Sequence, residues 1–263
     1  MKSAAFEYRR PESLDEALDL LAEHGDEAKA LAGGQSLIPL LAMRLAQPAM
    51  LVDLDRVPGL KEVAGGRIGA MVTQARLERE TDLPGVVRAA LPHIGHFQVR
   101  TRGTVGGSLC HADPAAEWPA LAVLLGAILH VRSRHGERRL AAADFVVGPL
   151  MTALAPDELL VAVELPAVAG GFGFAEVERR GGDFALVGAA AQGGAVVVFA
   201  TGAAPQRLGA VEAHLAAGGR PGAELRALAE REIEAGGDIH ASAGYRRRVG
   251  AALVDRVVVA ARA

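Results

Sequence analysis

One cysteine, three lysines and an aromatic content of 4% are all that 263 residues contain of these types, and each scarcity excludes a class of function. A single thiol forms no internal disulfide, completes no four-cysteine zinc site and holds no iron–sulfur cluster. Nothing therefore points to an oxidising compartment. None of the lysines (Lys2, Lys29, Lys61) follows a glycine, which excludes a P-loop. No G-x-G-x-x-G joins a strand to a helix, and Gly171-Phe172-Gly173 lacks the third glycine, so an ordinary dinucleotide site of Rossmann type is unsupported. Few aromatics argue against a base-stacking platform. With 28 basic and 31 acidic side chains, net −3, there is no field to attract nucleic acid or an anionic membrane. The first 17 residues are too charged for a signal peptide. Residues 185–204 carry no charge, but Gln192-Gly193-Gly194 splits them and the second half is β-branched. Two buried strands around a tight turn are expected there rather than a membrane helix. The expectation is a cytoplasmic protein without membrane insertion.

What is present reads as mixed α and β. Ser13 with Glu16 forms a capping box, Leu14, Ala17, Leu18 and Leu21 form an apolar stripe, and Gly25 closes the helix. A short strand at 29–32 runs into Gly33-Gly34-Gln35-Ser36, followed by a helix over 37–45 and a buried strand over 50–54. A second region holds a strand at 67–73, a helix at 84–93, a glycine-rich turn at 103–108 and a helix opened by Asp113-Pro114. That helix takes its apolar face from Trp118, Leu121, Ala122 and Leu125, and strands at 127–133 and 158–165 follow. After a linker at 166–171 come strands at 172–178, 185–191 and 195–201, then helices at 208–217, 222–235 and 242–261, an α+β order.

Two glycine-rich segments stand out. In Gly33-Gly34-Gln35-Ser36 successive glycines let N–H groups converge, and the following helix start adds a favourable dipole. Gly103 to Ser108 repeats the theme with Thr104 and Ser108 as flanking hydroxyls. Each alone is compatible with a structural turn; together, near a polar helix start, they suggest a diphosphate gripped from both sides. His93 and His96 have i,i+3 spacing, but no carboxylate or thiol nearby in sequence completes a ligand set. Cys110, between Leu109 and Ala112, reads as a small buried hydrophobe rather than a reactive thiol. Arg246-Arg247-Arg248 reads as a solvated helix face.

At the level of motifs, Ala32-Gly33-Gly34-Gln35-Ser36-Leu37 with Arg44-Leu45-Ala46-Gln47-Pro48 resembles the first flavin loop of the FAD-binding medium subunits of molybdenum hydroxylases, the xanthine dehydrogenase and carbon monoxide dehydrogenase type. Arg102 to Ser108 with His111-Ala112-Asp113-Pro114-Ala115-Ala116-Glu117 resembles the second loop. Glu178-Arg179-Arg180 with Asp183-Phe184-Ala185, and Asp238 to Ala243 with Tyr245-Arg246, resemble their C-terminal domain. The resemblance implies a two-lobed, vanillyl-alcohol-oxidase-like FAD-binding domain over 1–166, with lobes at about 1–60 and 61–166. A C-terminal domain of the carbon monoxide dehydrogenase flavoprotein type, over 172–263, would hold a three-stranded antiparallel sheet and a helical bundle.

By position, the resemblance places Leu31, Ala32, Gly33, Gly34, Gln35, Ser36, Leu37 and Ile38 along the FAD diphosphate and ribityl chain, together with Thr104, Val105, Gly106, Gly107 and Ser108. Ile94, Glu117 and Leu160 match further contact positions, and Phe184 matches the place beside the isoalloxazine ring, with packing of the C-terminal sheet as its alternative role. Leu186 stands where animal xanthine dehydrogenases have a lysine, a departure that speaks against their NAD chemistry. The hairpin at 192–194 is trimmed relative to many relatives.

The implied cofactor on this chain is non-covalent FAD, with no catalytic side chain. The single cysteine then acquires a consequence: electrons must come from other chains. The resemblance supplies an iron–sulfur small subunit with two [2Fe–2S] clusters and a large subunit carrying molybdopterin, in a dimer of heterotrimers. Electrons would pass through FAD to an external acceptor. A free-standing flavin oxidase and a non-catalytic nucleotide-binding module are the alternatives; the C-terminal part is small and helical for the substrate domain of an oxidase.

Overall fold

The computed structural model describes residues 2–263. Near the N-terminus, β1 (Glu7–Arg9), β2 (Ala28–Leu31) and β3 (Met50–Asp53) form a parallel sheet in the order β1-β3-β2. Helix α1 (Leu14–His24) lies between β1 and β2 in sequence and buries Ala17, Leu18 and Leu21. The Ser13 hydroxyl accepts from the Glu16 N–H at 3.1 Å, as the capping box requires, while the Glu16 carboxylate accepts from Glu12 N–H rather than from Ser13. β1 was not foreseen. Its three residues are all exposed and carry no apolar period; the Tyr8 hydroxyl, donating to the Asp53 carboxylate, helps tie it to β3. Helix α2 (Leu37–Ala42) is shorter than the periodicity predicts, because Arg44 adopts φ +58° and turns the chain away.

The middle of the chain builds an antiparallel sheet in the order β4-β5-β10-β6-β7, from β4 (Val63–Ala64), β5 (Arg67–Gly69), β6 (Ile128–Ser133), β7 (Gly136–Ala141) and β10 (Leu159–Glu164). β8 (Val146–Gly148) and β9 (Met151–Thr152) form a separate pair. Its helices are α3 (Gln74–Leu77), α4 (Gly85–Ala90), α5 (Phe97–Arg102), α6 (Val105–His111) and α7 (Glu117–Leu125). Two expectations change here. The segment 103–108 is not a turn but the start of α6, with Thr104 as its N-cap. Asp113-Pro114 does not open α7; the Asp113 carboxylate accepts from Ala115 N–H at 2.8 Å in a turn, and the helix begins at Glu117.

The C-terminal sheet runs β11 (Phe172–Val177), β12 (Val187–Gln192), β13 (Ala195–Phe199) and β14 (Gln206–Arg207), all antiparallel. It has four strands instead of three; β14 is only two residues long, too short for an alternating signal. Helices α8 (Gly209–Ala216), α9 (Ala223–Glu232) and α10 (Ala243–Arg262) follow. Ala190, Val197 and Phe199 join the same core as α7, while Val187, Ala189, Ala191, Val196 and Val198 pack with Val211, Leu225, Val254 and Val257 of the three helices. The sheet is thus covered on both faces, which explains the uncharged run at 185–204. Gly193 and Gly194, at φ +59° and +89°, make the two-residue turn between β12 and β13. Sandwiched in the same way, α7 buries all nine of its residues and so is apolar on every side rather than amphipathic. No helix among the described residues is long and apolar enough to cross a membrane.

The arginine run corrects its sequence reading. Arg248 is exposed, but Arg246 is buried and donates to the carbonyls of Leu186 and Gly236, both at 3.1 Å, and to Asp238 at 2.7 Å. This one side chain ties α10 to the entrance of β12 and to the segment before the helix. Arg246→Met keeps the apolar stem but removes all three bonds, at about 1–3 kcal/mol in total, since Leu186 is only half-buried and Gly236 is exposed. Urea unfolding should show that loss, whereas Arg248→Met should leave the midpoint unchanged.

Candidate functional site

The two glycine segments, some seventy residues apart in sequence, meet in the fold. A Cβ on Gly33 would overlap the Arg102 carbonyl and the Gly103 backbone, and one on Gly107 would contact the Ala32 methyl at 3.4 Å. Only a residue without a side chain at 33 allows the loop after β2 to lie directly on the end of α5. Between the segments opens a cleft of about 160 Å³ whose lining includes Ala32, Gly33, Lys61, Arg76, Arg102 and Thr104.

The segments differ in their backbone chemistry. At the start of α6 the amides are already paired: Val105 N–H donates to Val72 O at 3.0 Å, Gly106 to Ala70 O at 2.9 Å, Gly107 to the Thr104 hydroxyl at 3.1 Å and Ser108 to Thr104 O at 3.0 Å. These N–H groups are thus already engaged within the chain. A Cβ on Gly106 would overlap Ala70, so this glycine exists to let α6 sit against the end of β5. In the first segment the N–H groups of Gly33, Gly34, Gln35 and Ser36 have no acceptor among the described residues. Gly34 holds φ +75°, a conformation that glycine adopts without penalty, and the Gln35 amide donates to Gly33 O at 3.2 Å. Four consecutive amides at a half-buried to exposed surface are thus left free for water or a ligand.

Charge around the cleft agrees. Lys61 binds Asp55 at 2.8 Å, and this ammonium holds the Asp55 carboxyl below its ordinary range. Arg76 donates to Lys61 O and lies 3.6 Å from Glu80. Arg102 is exposed and has no ion-pair partner among the described residues. Three cations against one lining acid suit an anion of more than one charge. None of the three stands among the contact residues expected from sequence, although Arg102 opens the second motif.

The remaining residues expected at the site divide by burial. Leu31, Leu37 and Ser108 are half-buried, and Gln35 and Ile38 are exposed. Val105, Ile94 and Leu160 belong to the main core, with Val105 fully buried, so it offers no side-chain surface to a ligand. Thr104 is buried and spends its hydroxyl on the cap. Glu117 is buried at the start of α7, where loss of solvation, aided by Asp113 and Glu178, raises its carboxyl to about 7. Phe184 is 61% exposed, which removes the reading of it as a packing residue of the C-terminal sheet. The turn before it is braced by Gly182 N–H donating to the Glu178 carboxylate at 3.0 Å and by Asp183 N–H donating to Arg180 O at 3.0 Å, and Gly182 abuts the His96 ring.

Cys110 packs against the core, and burial pushes its thiol up to about 12, so it is an inert hydrophobe. His93 departs from its sequence reading: distant in sequence, Glu176 and Glu178 reach it in space.

Residues 4–168 match the family described as the FAD-binding domain in molybdopterin dehydrogenase. The chain is 40% identical to the nicotine 6-hydroxylase medium subunit of Paenarthrobacter nicotinovorans, with 99% of each covered. It is 39% identical to caffeine dehydrogenase subunit beta of Pseudomonas sp. strain CBB1, covering 99% of this chain and 96% of that one. Among solved structures it superposes on a chain of quinoline 2-oxidoreductase from Pseudomonas putida 86 with a TM-score of 0.91 at 38% identity, covering 99% and 98%. A chain of carbon monoxide dehydrogenase from Hydrogenophaga pseudoflava gives 0.92 at 32% identity, also over 99% and 98%.

Arg102 offers a clean test of the cleft, being exposed and unpaired. Arg102→Gln should weaken FAD binding about tenfold or more, the worth of one charge-assisted bond to phosphate, at an unchanged thermal midpoint. Equal affinity by fluorescence titration would remove Arg102 from the site.

Proposed function

Because this chain belongs to the FAD-binding medium subunits of the molybdenum hydroxylases, we propose that it is the electron-transfer member of such a complex, linking the [2Fe–2S] clusters of a partner subunit to an external acceptor through its FAD. As an oxidoreductase subunit it binds the flavin and leaves substrate oxidation to a molybdenum-bearing partner. The observation that carries this reading is the row of unpaired amides at 33–36, beginning at Gly33 in the cleft that Arg102 also lines, because a diphosphate needs several fixed donors and compensating charge.

In this reading loop 31–38 and Arg102 hold the diphosphate, and Gly107 and Ser108 line the ribityl chain. Ile94, Glu117, Leu160 and Phe184 surround the ring end, and Thr104, Val105 and Gly106 act through the backbone pairing that fixes the second loop. FAD, when bound, supplies reversible redox chemistry that no side chain of this protein offers. The protein's own part is to bind it, orient it and exclude water. The chain divides into a two-lobed FAD-binding domain over 1–166 and a C-terminal domain over 172–263. Ile38, Met43 and Leu45 are solvent-exposed apolar residues at and just beyond α2, and they suit a contact with another subunit. The assembly is a cytoplasmic dimer of heterotrimers with molybdenum and iron–sulfur subunits.

Expression of the full chain alone and together with both partner subunits tests the proposal. Alone, the chain should carry stoichiometric FAD and oxidise no organic substrate; the co-expressed complex should copurify and turn over. Steady substrate oxidation by the single chain would replace this reading with a free-standing oxidase.

A further inference from the structure

Glu176 is the most unusual carboxylate in the molecule. It lies near the end of β11 with its side chain only 1% exposed, and neither carboxylate oxygen has a hydrogen-bond donor among the described residues. Glu178, two residues further along an extended segment, projects to the same side. It uses one oxygen, Oε2, to accept from Gly182 N–H. His93 closes the 3₁₀ turn after α4, its ring held 5.2 Å from that of Phe174, and places Nδ1 3.4 Å from Glu176 Oε1. One donor atom from each of the three residues lies within 4.8 Å of the others.

A buried carboxylate without a donor costs several kcal/mol unless something neutralises it. A proton would satisfy only one of the two orphaned oxygens and would leave the negative Glu178 beside it, whereas a divalent cation neutralises both carboxylates at once. We propose that His93, Glu176 and Glu178 form a binding site for a divalent transition-metal ion of the zinc class. The mixed nitrogen and oxygen donors select this class over calcium and magnesium, which take oxygen ligands. Around a tetrahedral zinc, bonds of about 2.0–2.2 Å set donor atoms about 3.3–3.6 Å apart. His93 Nδ1 and Glu176 Oε1 already stand at 3.4 Å, and the wider pairs of the cluster close by up to about 1 Å. His93, whose side chain is 42% exposed, is the entry side. Its ligands come from the turn after α4 and from the end of β11 and lie outside the cleft beside residues 33–36. They neighbour Glu117, however: burial, and after it the charge of Glu117, raises the Glu176 carboxyl.

Metal-stripped, FAD-saturated full chain, dialysed against Zn²⁺ and analysed for metal content and by calorimetry, should bind one equivalent. Glu176→Gln removes a buried charge and is expected to fold; it and His93→Gln should each weaken binding at least tenfold, whereas His96→Gln should leave it intact. Circular dichroism checks the fold of every variant. The absence of stoichiometric zinc in the unmodified chain, or zinc retained with unchanged affinity by both Glu176→Gln and His93→Gln, would overturn the site.

Discussion

The backbone N–H is the group on which this site depends. A folded chain pairs nearly all of its amides, and an unpaired run persists only where water or a ligand takes the bond. Here the two glycine-rich segments resolve that demand in opposite ways. Residues 105–108 send their N–H groups to Val72, Ala70 and Thr104, spending them on the placement of α6. Residues 33–36 leave theirs open. One segment uses its amides in packing and the other leaves them free, although both look alike as strings of glycine and hydroxyl residues.

Steric closeness makes that division of labour work. Gly33 lies against the Arg102 carbonyl and Gly106 against Ala70, so the loop after β2 meets the end of α5, and α6 meets the end of β5, at backbone contact distance. Behind it α7 is buried on every side, joining the middle sheet to the C-terminal one through Ala190, Val197 and Phe199. The turn carrying Phe184 is thereby positioned by a core that runs through both parts of the chain, with Gly182 resting on His96.

Much of this was legible from residues alone, and the failures have physical causes. Strongly patterned elements were found where they lie: α1 by its cap and stripe, the β12–β13 hairpin by its glycines, and α8 to α10 to within a few residues. β1 and β7 escaped because edge strands with solvated faces, Glu7-Tyr8-Arg9 and Gly136 to Ala141, carry no apolar alternation. The second glycine motif reads as a turn because glycine pairs signal turns far more often than the tight contact of a helix with a strand. Arg246 is hidden from such a reading because sequence shows the charge of a run but not which member faces inward. Lys61, Arg76 and the meeting of His93 with Glu176 depend on contacts between distant segments that no local pattern encodes.

Hydrogen exchange read by mass spectrometry on FAD-loaded and FAD-stripped protein tests the central claim most directly. The amides of residues 33–36 should exchange rapidly without FAD and become protected with it, while those of 105–107 stay protected in both states, since their acceptors belong to the chain. Protection that appears at 105–107 only with FAD, together with no change at 33–36, would contradict the account.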